Sequence, residues 1–146
     1  KHIAKEFNNG MEFFNTFGGN PVSCAVAKSV LEVIEDENLQ ENSLIVGNFI
    51  KKHLQKLSCE YPIMGSVRGQ GLFIGIEFVD DNLNPLAEKA EYIVNRMRNY
   101  GILLSTDGPY HNVIKIKPPL VFSIQNAKYF LKYFSIVLKD DFIVLN

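Results

Sequence analysis

The sequence FNTFGGNP at residues 14–21 decides how the rest of the chain is arranged. Its two glycines let the backbone bend tightly and let a ligand approach it closely. Asn20 is a favourable N-cap residue, and Pro21 stands where the first helical residue is expected. Apolar residues follow at helical spacing, namely Val22, Val26, Val30 and Val33. The stretch predicts a glycine loop that presents the hydroxyl of Thr16 at the start of a long helix.

Two interpretations of this loop stay open on residue types alone. Helix N-termini bind anions through free N–H groups and the positive end of the helix dipole. Pro21 has no N–H, so the donors would be the amides near Gly18 and Gly19 and the hydroxyl of Thr16. The alternative is an ordinary capped loop without a ligand.

Length and composition indicate a globular chain. The 146 residues suffice for one domain with a hydrophobic core, and 47% hydrophobic with 21% charged residues is close to globular averages. A net charge of −1 with dispersed lysines and arginines argues against a nucleic-acid surface. Cys24 and Cys59 are interpreted as reduced thiols of an intracellular protein, with Cys59 as a small apolar side chain. No apolar run reaches membrane-spanning length, and His53 lacks a partner at metal-ligand spacing, so neither a membrane nor a metal site is predicted.

Hydrophobic periodicity predicts a two-layer α+β fold. Helical patterns cover residues 21–35, 38–57 and 86–99, with a last helix after Ser123. Alternating patterns predict strands, a short one at 66–69 and others at 72–79, 102–105 and 113–117. The last two strands flank a D-G-P turn and are expected to form a hairpin. Strands grouped together with helices on one side indicate a small antiparallel sheet with helices on one side.

Arg68 is the candidate anion-binding residue of the predicted sheet. It opens the phrase R-G-Q-G-L-F, in which glycines leave room for a ligand beside a planar guanidinium that binds carboxylate or phosphate with two hydrogen bonds. A solvated arginine at the entry to a strand is the alternative. The glycines at 69, 71 and 75 do not form a dinucleotide-binding fingerprint, because Ile74 occupies the third-glycine position and no helix follows.

The segment around the D-G-P turn offers a second candidate. Asp107 and His111 could act as an acid–base pair, but turn chemistry alone explains both residues, and a solvated turn is the preferred interpretation. Lys115 and Lys117 alternate with apolar residues and are expected to face solvent from the strand.

The phrase FNTFGGNPVSCA resembles the segment that follows the catalytic lysine in class III pyridoxal-phosphate aminotransferases. The resemblance extends from Phe7 to about Val137. It implies that Thr16, with Gly18 and Gly19, contacts the phosphate of pyridoxal 5'-phosphate across the interface of a homodimer with a shared active site. It also implies that the R-G-x-G-L arginine, Arg68, binds the substrate carboxylate. Residues 1–35 would then be the end of the large domain with the linking helix, and 36–146 the C-terminal small domain of the type I aminotransferase fold.

The phrase LLSTDGPYHNVIKIKPPLVF is similar to the branch of this family that contains ethanolamine-phosphate phospho-lyase. The resemblance implies a pyridoxal-phosphate enzyme that acts on a small amine or phosphoamine and locates to the cytoplasm, with mitochondria kept open. An aminotransferase of ω- or β-amino acids with glyoxylate or pyruvate is the first alternative. A non-catalytic, truncated dimerisation domain is the second.

The family's Schiff-base lysine is expected upstream of the FNTFGGNP segment, in a phrase resembling G-K-P-x-G-N-G. No such phrase occurs here, and Lys1 and Lys5 lack its glycine context. The chain is therefore expected to be a piece of a longer polypeptide, to contain no catalytic residue of its own and to be inactive alone.

Overall fold

The computed structural model describes residues 1–144. The chain divides into two compact units, Lys1–Ile34 and the part that begins at Glu35. The first unit contains helix α1 (His2–Phe7), a loop and most of helix α2 (Pro21–Asp36). The predicted helix start is confirmed, since Ser23 N–H donates to Asn20 Oδ1 at 3.0 Å and Pro21 is the first helical residue.

The apolar stripe of α2 is exposed in this structure. Val22 and Val26 are 74% and 59% exposed, and α2 has no buried residue. The 3.6-residue spacing therefore predicts the helix correctly, while its apolar face finds no partner within the described residues of the first unit.

The second unit contains a four-stranded antiparallel sheet. Its strands are β1 (Met64–Gln70), β2 (Phe73–Phe78), β3 (Ser105–Asp107) and β4 (Val113–Ile116), in the spatial order β1-β2-β4-β3. Helices α3 (Leu39–Glu60) and α4 (Ala87–Arg98) pack against the sheet, helix α5 (Ile124–Val137) packs against α3 and α4, and a short helix α6 (Asp141–Val144) follows.

The core lies between the sheet and these helices. Its fully buried side chains include Ile50, Leu54, Ile76, Phe78, Ile93, Met97, Ile114 and Phe134. Ser123 caps α5 as predicted, with Asn126 N–H donating to its Oγ at 3.2 Å. The predicted two-layer α+β architecture is confirmed.

Two strand predictions need correction. The strand expected at 102–105 lies at Ser105–Asp107, because Ile102 N–H closes the end of α4 by donating to Met97 O at 3.1 Å. The segment at 66–69 is not a short feeder: it belongs to the seven-residue strand β1, which forms a hairpin with β2. Gly71, at φ +54°, makes the tight turn between these strands.

Cys59, interpreted as a small apolar side chain, is a free and exposed thiol in the structure. Its Sγ donates to Gln55 O at 3.3 Å on the outer face of α3. His53 is partly buried as expected, and its Nδ1 lies 2.8 Å from Phe49 O.

Candidate functional site

The loop before α2 is held in shape by two asparagines. Asn15 accepts the N–H of Gly18 at its side-chain Oδ1 (3.0 Å) and at its backbone oxygen (3.3 Å). Asn20 donates from Nδ2 to Phe17 O at 2.7 Å. Gly19 has φ +70°, a backbone conformation that residues other than glycine rarely adopt. The local sequence therefore determines the loop conformation without help from distant residues.

This arrangement leaves several donors of the loop without a partner in the described part of the chain, among them one hydroxyl and the N–H of a glycine. The Thr16 hydroxyl and the Gly19 N–H make no hydrogen bond with any residue in the described part of the chain. Gly18 N–H, in contrast, is already bonded to Asn15. A Cβ built at Gly19 would meet nothing within 4 Å, so the space above this amide is open. The loop fits a phosphate held by Thr16 and Gly19, with Gly18 shaping the turn.

Arg68 lies on the sheet face opposite the helices. The strand register places Arg68 opposite Gly75, and Gly75 opposite Lys115 on the next strand. Because the central position of this row is a glycine, no side chain of residue 75 stands between the two cationic side chains, and Val113 Cγ1 lies 3.4 Å from the position that a Cβ would take. A groove of about 460 Å³ occupies this position, and its lining includes Arg68, Gly75, Phe73, Asp107, Gly108 and Lys115.

Each cation of the groove has a carboxylate partner. Arg68 Nη1 lies 2.7 Å from Glu77 Oε2, and Lys115 Nζ lies 2.5 Å from Asp107 Oδ2. Hydrogen bonds from Arg68 and then from Ser66 lower the pKa of Glu77 below its usual value. The hydrogen bond from Lys115 does the same for the pKa of Asp107. Both carboxyls are ionised at neutral pH, and the two pairs balance in charge.

Lys115 and Glu77 are residues of this face that sequence reasoning did not single out. Lys115 was expected to be an ordinary solvent-facing lysine, but its side chain is only 33% exposed and lines the groove beside Arg68. Side chains alternate between the two faces of β4, and this alternation places Lys115 on the same sheet face as its partner Gly75. Lys117 lies beyond the end of β4 and is exposed.

The structure does not support an acid–base pair at the D-G-P turn. Asp107 is bonded to Lys115 and to the N–H of Gly108 at 2.8 Å. His111 occupies a turn position with φ +52° and is exposed. The preferred interpretation of this segment as a turn is confirmed.

Two other kinds of site receive no support within residues 1–144. That part of the chain holds no group of three or more His, Cys, Asp or Glu side chains that could bind a metal ion. Among its helices, none combines the length and the apolar character that crossing a membrane requires.

The chain is similar to known proteins over nearly its whole length. A family model described as aminotransferase class-III matches residues 1–138. A protein of Drosophila melanogaster named alanine–glyoxylate aminotransferase 2-like is 47% identical over 133 residues, which are 88% of this chain and 27% of that protein. The ethanolamine-phosphate phospho-lyase homolog 1 of Caenorhabditis elegans is 43% identical over 129 residues, 86% of this chain and 28% of that protein.

Solved structures share the fold. A phospholyase from Arthrobacter, solved in complex with phosphoethanolamine, superposes with a TM-score of 0.85 at 37% identity, over 95% of this chain and 33% of that one. The chain thus spans about a quarter to a third of the length of these proteins. Since the family model covers all but the last few residues, the chain belongs to the class III aminotransferases, which depend on pyridoxal phosphate.

Proposed function

We propose that this chain is the C-terminal portion of a pyridoxal-phosphate enzyme that acts on a small phosphoamine, in the manner of an ethanolamine-phosphate phospho-lyase. The observation that carries the proposal is the groove on the sheet face, where Arg68 and Lys115 flank Gly75. The similarity to a phospholyase solved in complex with phosphoethanolamine supports it.

The groove suits an anion with several oxygens. Arg68 offers a planar fork of donors on β1, and Lys115 offers a point charge on β4, on the other side of β2. Both side chains pair with carboxylates that are themselves partly exposed, so water screens the attraction within each pair and each cation keeps donors for an incoming anion. A phosphate held here would orient the substrate by its charged end.

The loop at Thr16 is proposed to hold the phosphate of the cofactor. Its free hydroxyl and the free N–H of Gly19 are donors of the kind that phosphate oxygens accept. Bound pyridoxal phosphate supplies an electron sink for bonds broken at the carbon that carries the amine. The residues of this chain contribute binding and orientation, while the lysine that links the cofactor is proposed to lie outside these 146 residues.

A homodimer with a shared site completes the proposal. Thr16 would serve the cofactor of the partner subunit, and Arg68 would hold the substrate. A chain that supplies contacts but not the linking lysine is expected to be inactive alone. The compartment stays a prediction, cytoplasmic or mitochondrial, and relatives from plants and primates carry names that place them in mitochondria.

One observation favours a second function. The protein named alanine–glyoxylate aminotransferase 2-like has a higher sequence identity than the phospho-lyase homologue, 47% against 43%. In an aminotransferase with glyoxylate or pyruvate, Arg68 would hold a carboxylate in place of a phosphate.

Product analysis of the full-length enzyme separates the two functions. Incubation with phosphoethanolamine and saturating cofactor should release phosphate, ammonia and acetaldehyde in equal amounts, without any keto acid. The reaction balances when one water is consumed. Alanine or glycine formed only when pyruvate or glyoxylate is added, with no phosphate release, would contradict the phospho-lyase proposal and favour the aminotransferase.

A further inference from the structure

Arg68 is held by a triangle of hydrogen bonds at one end of its guanidinium group. Its Nη1 donates to Glu77 Oε2 at 2.7 Å and to Ser66 Oγ at 2.5 Å. Ser66 Oγ donates in turn to Glu77 Oε2 at 3.0 Å. Nη1 carries two hydrogens, and this triangle uses both of them.

The other nitrogens of this guanidinium form a second donor edge. Nε and Nη2 of Arg68 carry three hydrogens and have no partner within residues 1–144. A guanidinium can hold two oxygens of an anion on its end, through Nη1 and Nη2, or on its side, through Nε and Nη2. Because Nη1 is already bonded, only the side edge remains for a two-point contact.

The two residues that hold Nη1 stand outside the groove. Arg68 belongs to the groove lining, but Glu77 and Ser66 do not. An irregularity of the β1–β2 register between Met64 and Ser66 brings Ser66 opposite Glu77, on the sheet face that carries Arg68. The carboxylate can therefore fix the arginine without taking the space of a ligand.

We infer that Glu77 is a positioning residue that, together with Ser66, selects the edge of Arg68 offered to the anionic end of the substrate. This inference rests on the proposed role of Arg68 and deepens it. A long, half-exposed arginine has many rotamers, and a substrate that meets it already oriented avoids the entropic cost of ordering it. Glu77 thereby acts on substrate binding through Arg68 and does not touch the substrate.

The test compares two substitutions of Glu77 in the full-length holoenzyme. Glu77→Leu removes the acceptor for Nη1, whereas Glu77→Gln keeps an oxygen in its place and removes only the charge. We expect Glu77→Leu to raise the KM for phosphoethanolamine and the Ki of inorganic phosphate about two- to tenfold, which corresponds to the ordering of one side chain. The kcat should change little, and Glu77→Gln should restore most of the lost affinity. Ser66→Ala, a smaller change that removes the second acceptor, should shift KM in the same direction.

A double-mutant cycle separates positioning from a purely structural role. In an Arg68→Lys background, Glu77→Leu should add no further change in KM, because its effect passes through the guanidinium. Glu88→Gln, an exposed carboxylate on α4, is the matched control and should leave KM unchanged.

Three outcomes would decide against parts of this account. Unchanged KM and Ki in both Glu77→Leu and Ser66→Ala, while Arg68→Lys still raises KM, would overturn the positioning role and leave the proposed function intact. An effect of Glu77→Leu that persists in full in the Arg68→Lys background would also overturn it. Unchanged anion binding in Arg68→Lys would overturn the proposed function itself.

Discussion

The Thr16 loop and the sheet face around Arg68 are both candidate anion sites, but they prepare their donors in opposite ways. In the loop, asparagine side chains bond the backbone and leave the Thr16 hydroxyl and the Gly19 N–H without a partner in the described chain. On the sheet face, each cation already has a carboxylate partner, as in the Arg68–Glu77 pair at 2.7 Å.

This difference indicates which kind of ligand suits each region, a permanently bound group or one that exchanges. Backbone and hydroxyl donors without a partner are satisfied by water or by a permanently bound group, which suits the phosphate of a cofactor. Cations held by internal counter-charges stay ordered when no ligand is present, which suits a substrate that enters and leaves at every turnover. The comparison predicts tight binding at the loop and exchangeable binding at the sheet face.

The largest expected effect concerns covalent attachment, which neither region provides. When this chain is mixed with pyridoxal phosphate and reduced with borohydride, we expect scattered, low-level labelling of surface lysines, detected by mass spectrometry. The full-length enzyme should show stoichiometric labelling of one lysine upstream of residue 1. Stoichiometric labelling of a single lysine within these 146 residues would be incompatible with the proposed division of roles.

Thr16→Val is the next largest change. Valine matches threonine in shape, so the substitution chiefly removes a hydroxyl that would donate to a phosphate dianion. A charge-assisted hydrogen bond is worth about 1.5–3 kcal/mol, so the Kd for pyridoxal phosphate in the full-length dimer should rise about ten- to a hundredfold. Titration of the apo-enzyme followed by absorbance measures this constant, and Ser29→Ala on the exposed surface of α2 serves as the control.

Arg68→Lys should have a smaller effect, because the side chain is 56% exposed and lysine keeps the charge. Lysine loses the planar fork and its contact through two nitrogens. We expect the kcat/KM for phosphoethanolamine to fall about tenfold, mainly through KM. Steady-state kinetics test this expectation, with Lys117→Arg as a control outside the groove. Kinetics equal to those of the parent enzyme would reduce Arg68 to a structural residue.

The sequence predicted the loop more completely than the groove, for a physical reason. N-caps, glycine turns and helix starts depend on residues a few positions apart, so Asn20 and Pro21 could be assigned from the sequence alone. The groove depends on cross-strand register, which joins positions 68, 75 and 115. Register is set by packing of the whole sheet, and the pattern of a single strand does not contain it.

The same reasoning explains the errors in the sheet. Residues 102–104 have the apolar character of a strand, but backbone bonds at the end of α4 hold the start of this segment. Glu77 alternates correctly in β2, yet its pairing with Arg68 required knowledge that β1 and β2 form a hairpin. Interactions between distant residues therefore determine the part of the site that sequence reasoning missed.

The smallest expected effect is on stability at acid pH. The pKa values of Glu77, Asp80, Asp107 and Asp140 are all lowered in the folded chain, by hydrogen bonds chiefly from Arg68, Asn84, Lys115 and Arg96 respectively. A carboxyl group whose pKa is lower in the folded than in the unfolded chain stabilises the folded state. This stabilisation is fully present at pH values above the pKa of the unfolded chain and is lost as the pH falls through the pKa of the folded chain. The free energy of unfolding should therefore change little between pH 7 and 5. It should decrease as the pH is lowered further, from about pH 4.5 downward.

Urea denaturation of this chain at a series of pH values measures the slope of the unfolding free energy against pH. Asp140→Asn should flatten it more than Asp81→Asn, because Asp140 joins Arg96 Nε at 2.7 Å and the Tyr92 hydroxyl at 3.0 Å. Stability that rises as pH falls from 5 to 3 would show that these pairs do not form.

The central claim is that the two regions serve two different ligands, and ligand-dependent stabilisation of the full-length dimer tests it most directly. The measurement is the gain in melting temperature with pyridoxal phosphate added to the apo-enzyme, and then with inorganic phosphate added to the holoenzyme. The account predicts that Thr16→Val reduces only the first gain and that Arg68→Lys reduces only the second. Equal gains from pyridoxal phosphate in Thr16→Val and the parent at every concentration, or a loss of both gains in either variant, would contradict it.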